Sequence, residues 1–233
     1  MTKRIQLSER MQKIAELVIE GESCADVGTD HGLIPLYLLQ NQICPSVYLT
    51  DIAEGPLDRA RHNAMEYGVS GNMEFILGPG LKPLSSCSPS TVIIAGMGGE
   101  MIASILEESK EAAAGVKRFI FQPRTRESVL RKYLQDNGFL ISGEYLVKEA
   151  GRICQIITVD RDCDSPEIMS SETDYEIPPF LEKNRIGYFS EFLDHKIEKT
   201  ESVISELNNS DDTDKLEHWK QRLNEYKRIR SRI

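Results

Sequence analysis

Residues 25–32 read Ala25-Asp26-Val27-Gly28-Thr29-Asp30-His31-Gly32, and residues 48–52 read Tyr48-Leu49-Thr50-Asp51-Ile52. The apolar run ending at Val27 predicts a strand that breaks into a glycine-bracketed turn, and the Leu-rich segment behind Gly32 predicts a helix. The second stretch predicts another strand, tipped by a carboxylate. Strand, glycine turn, helix and acid-tipped strand make the first half of a nucleotide-binding βαβ unit. The glycines let backbone approach a ligand, and Asp51 stands where it can accept hydrogen bonds from a ribose diol.

The spacing departs from the dinucleotide fingerprint, which asks for G-x-G-x-x-G and a helix N-terminus facing a pyrophosphate. Here the bracketing glycines are Gly28 and Gly32, with Asp30 and His31 in the turn. A pyrophosphate would meet a carboxylate where it needs bare amides. A ligand with an amine and a ribose but no phosphate suits the turn better, and S-adenosylmethionine (SAM) has that chemistry. The alternative is a Rossmann-type turn that binds no nucleotide; Asp51 and the later glycine turns weigh against it.

The chain has 233 residues, room for one ordinary domain and an appendage. No run of roughly 18 apolar residues occurs, so no membrane span is expected. The N-terminus lacks the apolar core of a signal peptide, which points to a cytoplasmic protein. Five cysteines without C-x-x-C spacing suggest neither a disulfide framework nor a zinc site, and no metal is expected. The net charge of −9 weighs against a nucleic-acid partner. Its distribution weighs the other way: residues 215–233, KLEHWKQRLNEYKRIRSRI, hold seven basic residues against two acids. Charge alone leaves both a phosphate grip and a solvated helix face open.

From residue 8 to about 160, strand and helix patterns alternate. Strands are predicted at 23–27, 47–51, 73–77, 91–95 and 117–121. Helices are predicted at 8–20, 33–40, 56–67, 99–113 and 126–137, with Gly68 and Gly138 at helix C-caps. Two strands, 139–147 and 152–160, close a hairpin through 148–151. The expected architecture is α/β: a doubly wound sheet, mostly parallel with an antiparallel end, spanning 1–161. Residues 162–178, polar and Pro-marked, read as a linker. In 179–233, apolar stripes (Phe189, Phe192, Leu193, Ile197; then Leu216, Trp219, Leu223, Tyr226, Ile229) predict a coiled-coil hairpin of two helices, turning at 208–212.

These residues resemble the TrmK family, bacterial tRNA (adenine(22)-N1)-methyltransferases that join a Rossmann-like, SAM-dependent domain to a C-terminal coiled coil. The resemblance covers essentially the whole chain. It rests on Asp26 to Gly32, on Asp51-Ile52 with Gly55-Pro56-Leu57 and Ala60, on Ala95-Gly96-Met97-Gly98-Gly99, and on Gln122-Pro123 and Gly151-Arg152. It implies a SAM site drawn from Asp26, Gly28, Thr29, His31, Gly32, Asp51, Ile52, Gly78, Pro79, Gly80, Ala95, Gly96 and Met97. It implies a tRNA substrate near Gly98, Gly99, Gln122, Arg124 and Arg152. Two positions depart from common patterns. Pro79 stands where many SAM enzymes carry Asp, leaving adenine recognition there to backbone, and Arg124 stands where the family tends to have Asn, where it can reach a phosphate.

The chemistry agrees with that target. Enzymes that methylate an exocyclic amine carry an Asn/Asp-Pro-Pro-aromatic turn after the fourth strand; here the turn is Gly96-Met97-Gly98-Gly99. Methylation at pyrimidine C5 needs a cysteine nucleophile, and none stands there. Adenine N1 has an in-plane lone pair that attacks without prior deprotonation, so positioning is the main requirement. The product is cationic, and Asp30 is the candidate catalytic carboxylate that stabilises it. Asp30 could instead cap the following helix or hold the methionine amine of SAM, and His31 fits a packing role as well as a contact. Arg228, Arg230 and Arg232 on the basic helix are the expected phosphate contacts to tRNA. A SAM-sensing module without catalysis, or a methyltransferase for another RNA or a small molecule, are the competing functions. Monomer and weak dimer both stay open.

Overall fold

The computed structural model describes residues 3–183, 187–207 and 212–233. It divides after Ile168 into two compact units, each described by itself.

The first unit begins with α1 (Glu9–Glu16), capped by the Ser8 hydroxyl, which accepts from the Met11 amide. The sequence pattern extends this helix to residue 20. It stops earlier because Leu17 and Val18 donate to the carbonyls of Ile14 and Ala15, tightening the last turn ahead of the first strand. The other helices are α2 (Leu33–Gln40), α3 (Glu54–Glu66), α4 (Gly99–Glu107), α5 (Lys110–Ala114) and α6 (Glu127–Asp136). The strands are β1 (Cys24–Val27), β2 (Ser46–Asp51), β3 (Asn72–Leu77), β4 (Thr91–Gly98), β5 (Arg118–Thr125), β6 (Ile141–Glu149) and β7 (Arg152–Asp160). They form one sheet in the order β3-β2-β1-β4-β5-β7-β6, with β7 antiparallel to both of its neighbours. All four residues of β1 are buried, as expected for a central parallel strand covered on both faces.

Three local readings change. Residues 99–113 are two helices, because Ser109 leaves helical geometry at φ −135°. The hairpin connection is two residues, Ala150 and Gly151, both at positive φ (47° and 77°), with Glu149 facing Arg152 across it. The Gly96–Gly98 segment is not a turn beyond the strand: β4 and β5 run on to Gly98 and Thr125, with register shifts between Ala95 and Gly98 and Gly96 at φ 79°.

In the second unit, α7 (Glu172–Glu176), with a Ser171–Asp174 capping box, lies inside the stretch whose composition reads as linker, and Met169 and Ile177 are buried there. It is followed by α8 (Pro179–Lys183), α9 (Phe189–Leu207) and α10 (Thr213–Arg230). α9 and α10 pack antiparallel: Arg230 meets Asp194, while Lys227 meets Glu201. Of the turn expected at 208–212, residues 208–211 lie outside the described residues. Among the described residues, no helix is long and apolar enough to cross a membrane.

Candidate active site

Two glycines set the first turn. Gly32 opens α2 at φ 65°, where a Cβ would stand 2.7 Å from Leu49 and 2.8 Å from Ala60. Gly28, at φ 76°, is needed for close approach: a Cβ there would come within 2.0 Å of the Met97 methyl. The amides of Gly28 and Thr29 both donate to the Thr50 carbonyl, at 2.8 and 3.0 Å, so they lock β1 to β2 instead of facing a ligand.

Beside this turn, at the C-terminal ends of β1, β2 and β4, lies a cavity of about 450 Å³. Gly28, Asp51, Ile52, Gly78, Pro79, Gly80 and Met97 line it, seven of the residues expected at a cofactor site. Asp51 Oδ1 accepts from the Ala53 amide at 2.8 Å. Its second oxygen has no hydrogen-bond partner among the described residues. Ile52 and Met101, both well exposed, form apolar walls. The lining carries two carboxylates, Asp51 and Glu108, and neither Lys nor Arg.

The α4 side of this wall escaped sequence reading. Met101, Ser104, Ile105, Glu108 and Ser109 face the cavity because α4 ends at Glu107 and the chain turns there. The signal available was the three- to four-residue spacing of these positions behind the glycine run.

The remaining expected residues lie around the cavity and not on its wall. Asp26 is buried below the turn and accepts from Thr29 Oγ1 at 2.7 Å. Burial pushes its carboxyl up to about 6; the Thr29 hydrogen bond opposes this and the Asp51 charge adds to it. Asp30 is not the α2 cap, a place Gly32 takes. Its carboxylate is held by Arg59, with Nε at 3.1 Å, and stands 3.3 Å from His31 Nε2. The His31 carbonyl accepts from Asn63 at 2.8 Å. Ala95 and Gly96 belong to the bulged end of β4. Gly98 is the α4 N-cap residue, and Gly99 is buried where a Cβ would meet the Arg126 carbonyl at 2.3 Å. Gly99 therefore lets α4 pack closely against the chain entering α6.

The β5 tip carries Gln122, which is buried, and Arg124. Arg124 Nε would be 3.7 Å from a Cβ on Gly96. Arg124 and Arg152 are exposed and have no ion pair among the described residues. On the basic helix, Arg230 pairs with Asp194 at 2.7 Å and Arg232 with Glu182 at 3.6 Å; Arg228 is exposed without an ion pair among the described residues.

A doubly wound sheet in this order, with an acid at the β2 tip and a ligand-sized cavity at the β1/β4 crossover, defines a Rossmann-like methyltransferase, and residues 7–157 match the family described as Methyltransferase domain. A Bacillus subtilis tRNA (adenine(22)-N(1))-methyltransferase is 29% identical over 95% of this chain and 92% of its own length. The structure of a putative Streptococcus pneumoniae tRNA (m1A22) methyltransferase in complex with S-adenosyl-L-methionine matches at 30% identity and TM-score 0.84, over 97% of this chain and 100% of its own. A Streptococcus agalactiae protein of the NADB-Rossmann superfamily matches at 28% identity and TM-score 0.88, over 97% and 98%. The chain belongs to the TrmK family.

Proposed function

We propose that this protein transfers the methyl group of SAM to N1 of adenine 22 in tRNA, in the cytoplasm. The observation that carries the reading is the open Asp51 oxygen at the rim of an apolar-walled cavity that lacks any cationic side chain. Its volume suits a nucleoside-sized ligand. The Asp51 carboxylate suits a ribose diol and a ligand bearing positive charge, whereas Glu108 is already paired with Lys82 at 3.8 Å. A pyrophosphate would find no Lys or Arg on the cavity lining.

Bound SAM supplies an electrophilic methyl group. The chain's own part is to orient the base, exclude water and tolerate the cationic product. Adenine N1 needs no general base, and the bulged Gly96–Gly98 segment carries no acid or amide to act on an exocyclic amine. Asp30 is the remaining candidate for balancing the methylated base, and its pairing with Arg59 weakens that role unless the substrate displaces the arginine. Gln122, Arg124 and Arg152 are the substrate contacts in this reading, and Arg228, exposed without an ion pair among the described residues, is the tail arginine most available to a backbone phosphate.

The test is methylation of unmodified tRNA with labelled SAM, followed by mass spectrometry of the nucleosides and mapping of the modified position. The expected product is 1-methyladenosine at position 22. SAM binding with no product on any tRNA would overturn the reading in favour of a sensing module.

A further inference from the structure

Arg10, on α1, belongs to no motif of the cofactor site, yet it reaches two strands far from it in sequence. Its Nε donates to Glu149 Oε2 at 2.7 Å, and its Nη1 donates to Gln122 Oε1 at 3.2 Å. The Arg10 and Glu149 side chains are only 16% and 27% exposed. The contact joins α1 to the tip of β5 and to the mouth of the β6–β7 hairpin.

Two further arginines surround the same acid. Arg152 faces Glu149 across the two-residue turn, and Arg124 lies against the β4 bulge at Gly96. Burial pushes the Glu149 carboxyl up, but hydrogen bonds from Arg10 and Ser8 and the nearby charges of Arg10 and Arg124 outweigh it, leaving the group below its ordinary range. Cys154, between the strand tips, feels Arg10, Glu149, Arg124 and Arg152 together. The cluster therefore has one carboxylate for three guanidiniums, and Arg10 holds that carboxylate.

A half-buried carboxylate deprived of its partner turns to the nearest cation. Without Arg10, that cation is Arg124 or Arg152. We propose that Arg10 is a positioning residue for the nucleic-acid substrate: by occupying Glu149 it keeps Arg124 and Arg152 unneutralised, free to hold a phosphate beside the β4 bulge. The proposal rests on the tRNA reading above. It assigns Arg10 no contact with SAM or with the reacting base.

The test compares the full chain with Arg10→Gln, Glu149→Gln and the double variant, measuring tRNA binding over a salt series and SAM binding by calorimetry. Arg10→Gln should weaken tRNA binding about tenfold and lower the salt slope by about one unit, with SAM affinity unchanged. The double variant should return tRNA affinity to within about twofold of the parent, because the quenching acid is gone. A role for Arg10 confined to holding α1 in place predicts no such rescue. Parental affinity in Arg10→Gln, or a double variant as weak as the single, overturns the proposal. If Arg10→Gln does not fold, Glu149→Gln alone decides: equal or tighter tRNA binding supports the proposal, and a clear loss overturns it. A parent chain that binds no tRNA overturns the substrate reading itself, and this proposal with it.

Discussion

Two arginine–carboxylate pairs in this chain have nearly the same geometry in opposite surroundings. In the first unit, Arg131 of α6 meets Glu144 of β6 through Nε–Oε1 at 2.7 Å and Nη2–Oε2 at 3.0 Å, and both side chains are fully buried. In the second, Arg230 of α10 meets Asp194 of α9 at 2.7 and 3.1 Å, with side chains 38% and 50% exposed. Distance does not separate them; desolvation does. Breaking the first strands a charge in a dry interior and also costs Gln155 its bond from Arg131 at 2.7 Å. Breaking the second returns both groups to water. The buried pair ties α6 to the edge strand β6 and cannot be broken cheaply, whereas an exposed arginine can exchange a carboxylate for a phosphate at small cost.

The largest effect should come from Arg131→Met, which leaves Glu144 buried and unpaired. We expect a loss of about 3–5 kcal/mol in denaturant unfolding. A loss no larger than that of Arg230→Gln, expected at about 0–1 kcal/mol, would erase the contrast.

Asp26 extends the comparison to a buried acid without a cation. Its carboxyl, ordinarily at 3.8, lies at about 6 in the folded chain, chiefly through burial. A raised native value means the folded state holds the proton more tightly. The favourable contribution is therefore complete below about 3.8 and is lost as the pH rises through about 6. Asp26→Asn should remove that loss, so its stability relative to the parent should improve between pH 4 and 7 by an amount of order 2–3 kcal/mol. Unfolding midpoints that track the parent at every pH would show that Asp26 is not titrating as its burial requires.

Asp51→Ala tests a charge poised for a ligand. Calorimetry should show SAM affinity reduced by about 1.5–3 kcal/mol, roughly ten- to a hundredfold. Unchanged SAM binding refutes the ribose assignment. The smallest effects fall on α10. Arg228→Gln should weaken tRNA binding a few-fold and lower the salt slope by about one unit, while Arg230→Gln, already matched by Asp194, should change both less. The reverse ranking would mean that tRNA draws Arg230 away from its carboxylate.

Much of the candidate site's cavity lining was legible because its signals are local. A glycine bracket, an acid at a strand end and a Leu-rich segment each depend on near neighbours, and α2 falls on 33–40 as its pattern predicts. The α4 face of the cavity was hidden because 99–113 reads as one continuous helix, and only the kink at Ser109 closes that wall. Gly99 is a related case: a glycine needed for ligand approach and one needed for helix packing look alike in a sequence, and the nearby Arg126 carbonyl appears only in the fold. The seven basic residues of 215–233 likewise read as one cationic stripe, although Arg222, Lys227, Arg230 and Arg232 face Glu172, Glu201, Asp194 and Glu182.

Sequence alone thus determined the doubly wound sheet, the position of the Asp51 carboxylate and the family, because hydrophobic period and turn chemistry act over a few residues. Tertiary structure decided which charges are spent and which remain available. Arg10 finds Glu149 at a separation of 139 residues, and Arg118 finds Asp160 at 42. Such pairings depend on the sheet order that brings strand tips together, and on burial, which sets whether a given charge is locked or exchangeable.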